Sequence, residues 1–199
     1  MITYFRQHHD EIISWLGNHV WLSALPVLLG LIIALPLGWL ANRYRWLYAP
    51  LISVAGLLGT KVLDPINVAV ALTIYTVALL VRVVADGLAS VPEDVAQAAT
   101  AMGYKRFQRL VAVELPIAVP VIAAGLRVAA VSNVSLVAVA ATIGVPELGQ
   151  LFTNGFQLSY FAPILIGILL CVALALVFDT VIVLTTRALT PWRRAVQPS

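Results

Sequence analysis

Residues 97–116 read QAATAMGYKRFQRLVAVELP. The stretch carries Lys105, Arg106 and Arg109, a helix-stopping glycine at 103 and a proline at 116, and it sits between segments apolar enough to live in lipid. Of the chain's 199 residues, 61% are hydrophobic and 11% charged, against about 25% charged in a soluble domain. Surface this apolar belongs in a bilayer, where every backbone polar group must be satisfied within the segment. The class is therefore an all-α, polytopic membrane protein with a polar insert.

Working outward from the insert, four strong spans and one weak one are predicted. The strong ones are Val20–Ala41, Ile66–Ala85, Ile117–Ala141 and Ala162–Thr186. The weak one is Trp46–Leu63, whose clean apolar core Pro50–Gly59 is too short for roughly 30 Å of hydrocarbon unless Lys61 snorkels at its far end. Residues 1–19 are polar and read as a solvated external leader, and residues 20–199 as a single membrane domain with a loop at about 86–116. His8, His9 and His19 lack metal-binding spacing, so no metal site is expected, and the lone Cys171 reads as a buried small hydrophobe.

Charge placement supports five crossings. Arg43 and Arg45 follow span one. With five crossings the basic groups after spans one, three and five share one side, which the positive-inside rule makes cytoplasmic. The N-terminus is then outside and the C-terminus inside. Topology thus accounts for the net charge of +3, and no nucleic-acid partner is implied.

The insert itself predicts a short helix. Ser90, Pro92 and Glu93 form a capping-box pattern, and Glu93 and Asp94 suit the positive end of the helix dipole. Val91, Val95, Ala98 or Ala99, and Met102 recur on one face, and Gly103 supplies the left-handed residue that ends a helix. Two readings follow from the residues alone: an interfacial helix resting on the cytoplasmic leaflet, or a helix whose small side chains let a cytoplasmic partner approach closely.

The spacing favours the partner. The stretch resembles the EAA motif of ABC-importer membrane subunits: Glu-Ala-Ala, three residues, Gly, nine residues, an aliphatic, one residue, Leu-Pro. Here Ala98-Ala99 is followed after three residues by Gly103, then by Tyr104–Ala112, Val113, Glu114 and Leu115-Pro116. Gln97 stands where the family usually has glutamate, so the charge at that position is lost while its reach survives. The third span, the run Glu114–Val131 and the run Ala141–Gly155 are similar to the permeases for glycine betaine, carnitine, choline and related osmoprotectants. That branch usually carries a longer second span, and about one helix's worth of its sequence is missing near Gly56–Gly59.

The resemblance implies a type I importer permease of about five helices with a cytoplasmic coupling helix, without catalytic residues of its own. No G-x-x-x-x-G-K-[ST] nucleotide loop occurs in the chain. ATP and Mg are expected on two cytoplasmic ABC ATPases, with a second permease subunit and an external substrate-binding protein as further partners. The coupling residues it implies are Glu93, Gln97, Ala98, Ala99, Gly103, Arg106, Arg109, Leu115 and Pro116, with Arg106 and Arg109 available to pair with acidic groups on the ATPase. An amino-acid permease, a membrane enzyme and a structural membrane protein are the competing classes; the enzyme lacks a clustered acid–base or metal constellation.

Residues within the spans give further expectations. Arg127 lies roughly 16 Å past Pro116 and Asp179 roughly 12 Å before Arg187 by helical rise, depths that suggest a buried ion pair. Ser132, Asn133 and Ser135 either line the path or bond between helices. Phe152, Phe156, Tyr160 and Phe161 read as an interfacial aromatic belt, and Arg82 with Asp86 as a local i, i+4 pair.

Overall fold

The computed structural model describes residues 2–43 and 65–192. The expected second span, Trp46–Leu63, lies outside the described residues. Those described form helices joined by short turns, with no strand among them. In chain order they are α1 (Ile2–Gln7), α2 (His9–Arg43), α3 (Pro65–Ala89), α4 (Glu93–Ala101), α5 (Arg106–Arg109), a π-helical turn (Leu110–Glu114), α6 (Leu115–Val139), a 3-10 turn (Ala140–Ile143), α7 (Gln150–Gln157) and α8 (Phe161–Leu189). Among the described residues, four stretches are long and apolar enough to cross a membrane: His9–Leu40, Pro65–Ala89, Arg106–Ile143 and Phe161–Leu189.

The contacts fix the directions of these helices. Leu22 packs with Ala69 and Leu72, Gly30 lies against Thr76, and Gly38 against Val84. Position numbers rise together, so α2 and α3 run parallel and Arg43 and Pro65 lie at opposite ends of the bundle. α6 runs the other way: Ile122 packs with Val84 and Leu88, Ala129 with Leu80 and Val81, and Val137 with Ala69 and Leu72. α8 is antiparallel to α6, joined to it near Ile166 and Val134 and again at Asp179 and Arg127. The ends of α2, α3 and α8 therefore share one end of the bundle with the insert, and Arg43, Lys105, Arg106, Arg109 and Arg187 all lie there. The opposite end holds the starts of α2, α3 and α8 and the loop after α6.

Packing relies on small residues because lipid offers no hydrophobic drive between helices. A Cβ built on Gly30 would sit 2.5 Å from Thr76 Cγ2 and one on Gly38 2.6 Å from Val84 Cβ, so the closest approach of α2 and α3 has no room for even an alanine. Ala34, Ala118 and Ala129, each fully buried, continue the same logic.

The N-terminal residues depart from the solvated leader expected above. Residues 9–19 continue the first span without a break, in a 35-residue helix, roughly 50 Å long by helical rise and so longer than the hydrocarbon it crosses. Ile12 is 2% exposed and His19 fully buried, because this extension packs on the loop after α6 and on α8. His9, paired with the neighbouring Asp10, does stay at the surface.

Candidate functional site: a capped helix at the basic end

The polar insert folds as α4, a tight turn, and α5, which runs through the π-helical turn into α6. The start of α4 differs from the expected capping box. Pro92 occupies the N-cap position with no side-chain cap bond. Ser90 instead donates its hydroxyl to the Gly87 carbonyl, 2.7 Å away. Helix α3 extends to Ala89, so Ser90 serves the end of that helix rather than the beginning of the next. The carbonyl of Pro92 accepts from the N–H groups of Val95 and Ala96, and Glu93 and Asp94 remain in the first turn.

The end of α4 follows the sequence closely. Gly103 has φ +89°, its N–H donates to Thr100 O at 3.0 Å, and the N–H of Tyr104 donates to Ala99 O at 3.2 Å. This pair of bonds is the Schellman arrangement, which needs a left-handed residue just past the helix. Any side chain with a Cβ is strained there, most of all a β-branched one.

Burial sorts the residues of the helix. Ala99 is 1% exposed, with Val95 and Ala96 half-buried beside it. Glu93, Gln97 and Ala98 face outward, and Gln97 donates to Glu93 Oε1 at 3.3 Å. Met102, expected on one face with Val91 and Val95, is 71% exposed, because the turn at Gly103 carries it away from the bundle. With Tyr104, Phe107 and Val111 it lines an open apolar groove.

The two arginines have different roles. Arg109 is turned inward: its Nε donates to Glu114 Oε1 at 2.6 Å and its Nη1 to Thr100 Oγ1 at 2.9 Å. It ties α4 to the entry of α6, so this guanidinium is spent within the chain rather than held out for a partner's acid. Arg106 is exposed and has no hydrogen-bond or ion-pair partner among the described residues.

Leu115 and Pro116 are half-buried, with Leu115 against the cluster of Val84, Leu88 and Ile122. Pro116 lacks an N–H and would press on the carbonyl four residues back in a regular α-turn. The ladder widens just before it, with Leu115 N–H bonding to Leu110 O, and so α5 enters α6 without a break.

Within the spans, Asn133 is fully buried and donates to Thr76 Oγ1 at 2.8 Å and to Ala129 O at 2.9 Å. It bonds α6 to α3. Ser132 is half-buried and Ser135 exposed, so the structure does not gather the three polar residues into one lining. Arg127 and Asp179 do meet: Nε to Oδ1 at 2.5 Å and Nη2 to Oδ2 at 2.9 Å. The pair is not buried within the chain, however, since the side chains are 46% and 28% exposed. Arg82 and Asp86 stand 3.8 Å apart on the surface. Of the four aromatics, Phe156 is 83% and Phe161 78% exposed, while Phe152 packs on α8 at Gly167.

The opposite end holds a pair that the sequence did not reveal. His19 and Glu147 are both fully buried, with Nδ1 2.7 Å from Oε2. His19 Nε2 lies 3.1 Å from Val134 O. A carbonyl only accepts, so Nε2 carries a proton, and the remaining hydrogen lies between Nδ1 and the carboxylate. Glu147 Oε2 also accepts from Gly149 N–H at 2.7 Å. Asn18 Nδ2 adds a bond to Pro146 O at 2.9 Å, fastening the loop to α2. The available signal was Glu147 itself, a single acid in the apolar run ATIGVPELG.

Comparison with known proteins agrees with this geometry. Residues 20–194 match the family described as binding-protein-dependent transport system inner membrane component. The osmoprotectant import permease protein OsmW of Salmonella typhimurium is 35% identical, with 96% of this chain and 97% of that one aligned. The glycine betaine/carnitine/choline transport system permease protein OpuCD of Bacillus subtilis is 30% identical, over 96% of this chain and 90% of its own. In fold, a chain of the MetNI methionine ABC transporter in an inward-facing conformation superposes with a TM-score of 0.74 at 18% identity, covering 92% of this chain and 98% of that one. The fold is thus that of a type I ABC-importer permease, and with four apolar helices of spanning length among the described residues the protein is a multi-pass membrane protein. The chain belongs to the family of binding-protein-dependent transport system inner membrane components.

Proposed function

We propose that this chain is the membrane-spanning subunit of an ATP-driven importer for small compatible solutes such as glycine betaine, choline, carnitine or proline betaine. It forms part of the translocation path and does no chemistry itself. ATP and Mg are held by two cytoplasmic ABC ATPases, an identical or similar permease completes the membrane unit, and an external binding protein delivers the solute. The N-terminus is outside and the C-terminus in the cytoplasm of a cell membrane, because the end of the bundle bearing Arg43, Lys105, Arg106 and Arg187 is the basic one.

The observation that carries this reading is the build of α4. Its outward face is small and polar, its end is set by Gly103, and Arg109 ties it to the entry of α6. A partner that pushes on α4 therefore pushes on a spanning helix, not on a slack loop. Glu93, Gln97, Ala98 and Arg106 are the contact residues, with the groove of Met102, Tyr104 and Phe107 beside them. Ala99, Gly103, Arg109, Leu115 and Pro116 hold the geometry. The solute class is supported by the relatives named above, which are osmoprotectant permeases along nearly their whole length.

The test is uptake. The chain is expressed with the ATPase and binding protein encoded beside it, in cells lacking their own osmoprotectant uptake. Labelled glycine betaine is expected to accumulate against its gradient, and only when the ATPase is intact. Failure to accumulate any of the four solutes by an assembled complex would reject the assignment.

A further inference from the structure

The seam between α6 and α8 places charge where a bilayer tolerates it least. Arg127 stands at the midpoint of α6, roughly 18 Å from each end by helical rise, and Asp179 roughly 15 Å before the end of α8. The two form a forked pair through Arg127 Nε and Nη2. Close to half of the arginine side chain remains accessible. Its three other N–H bonds have no acceptor among the described residues. Charged groups at this depth face the interior of a bundle or a water-filled cavity rather than lipid.

The surroundings point the same way. The accessible stripe of α6 beside the pair runs Ala124, Val128, Val131, Ser135, at spacings of four, three and four residues, and none of the four is larger than valine. The outward stripe of α2 is of another kind: Trp21, Leu28 and Ile32 are all more than 60% exposed, the bulky apolar cover that suits lipid tails.

We propose that this seam borders the aqueous translocation path and that Arg127 receives the carboxylate of a passing zwitterionic solute on its unused N–H bonds, with Asp179 beside the solute's quaternary ammonium. The inference rests on the osmoprotectant reading above and narrows it to solutes that bear both charges. Asp179 already balances the guanidinium, so the unloaded seam carries no net charge. The carboxylate makes a bidentate-capable contact without meeting a full uncompensated cation, and a path needs binding loose enough to release what it holds.

The experiment labels single cysteines, Val131→Cys and Ser135→Cys, each in the Cys171→Ser chain, within the complete importer in liposomes. The probe is a charged, membrane-impermeant methanethiosulfonate, and Ile32→Cys is the lipid-facing comparison. Both seam cysteines are expected to react and Ile32→Cys to stay unreacted. Glycine betaine, supplied with the binding protein and ATP, is expected to slow the reaction about tenfold, the effect of one good charge-assisted contact. Arg127→Gln with Asp179→Asn removes both charges together and is expected to abolish the protection while labelling and ATPase co-purification persist. Should that double variant fail to assemble, Arg127→Lys, which keeps the charge and loses the fork, is expected to weaken the protection.

Seam cysteines as unreactive as Ile32→Cys would overturn the proposal. So would labelling that glycine betaine never slows, or protection unchanged by the loss of the pair. An importer that labels at the seam yet moves none of the four solutes would instead sink the osmoprotectant reading, and the carboxylate contact with it, while the water-lined seam stands.

Discussion

The two ends of the bundle solve different problems. At the far end, a histidine and a glutamate are sealed from solvent and bonded to each other, to Val134 O and to Gly149 N–H. At the basic end, α4 exposes Glu93, Gln97, Ala98 and Arg106, and its shape is kept by backbone geometry at Gly103 and by the half-buried Arg109. One end is closed by its own polar contacts, while the other holds a fixed shape and leaves its outward face free. Stability is thus concentrated at the far end, and stiffness where the ATPase is proposed to push.

That contrast orders the expected effects of substitution. The largest belongs to the far end. His19→Ala leaves Glu147 buried without its partner, and losses from breaking such pairs run about 3–5 kcal/mol. A correspondingly lower melting temperature in detergent is expected. The double variant with Glu147→Gln is expected to recover part of the loss, since no carboxylate is then stranded; purely additive losses would mean that the two residues do not act as a pair. Next is Gly103→Val at the basic end, where a β-branched residue at positive φ costs roughly 1–3 kcal/mol. Gly103→Asn is expected to cost clearly less, because asparagine tolerates the left-handed region.

Arg109→Ala ranks third, at about 1 kcal/mol, since its pair with Glu114 is partly solvated and screening reduces its worth. Its larger effect is expected on function: ATP hydrolysis retained, but solute moved per ATP reduced, as the tie between α4 and α6 loosens. The smallest effect is that of Gln97→Glu. It restores the residue usual in the EAA motif but sets a like charge one turn from Glu93, for a cost of a few tenths of a kcal/mol. A melting temperature within a degree or two of the starting chain is the expected result.

Much of the basic end was legible because it is local. Gly103 and Leu115-Pro116 act through the backbone of their immediate neighbours, and a spacing pattern captures that. Ser90 misled because its hydroxyl had two helices to serve, and the extent of α3 decided between them. Met102 misled because helical periodicity stops at the turn that Gly103 makes. The His19–Glu147 pair lies 128 positions apart in sequence, and only the packing of α2 on the loop after α6 brings the two together. Arg127 and Asp179 could be matched in advance by depth along their helices, but not their exposure, which depends on the directions in which α6 and α8 face.

The central claim is that α4 joins this chain mechanically to a cytoplasmic ATPase. The most direct measurement is co-purification of the chain with the ATPase encoded beside it, in mild detergent, for the unaltered protein and for Gly103→Val. The account predicts a stoichiometric ATPase on the unaltered chain and its loss from Gly103→Val, with membrane insertion unchanged. A chain that purifies alone, or one that keeps its ATPase in full after that substitution, would contradict the claim and return α4 to a helix lying on the membrane surface.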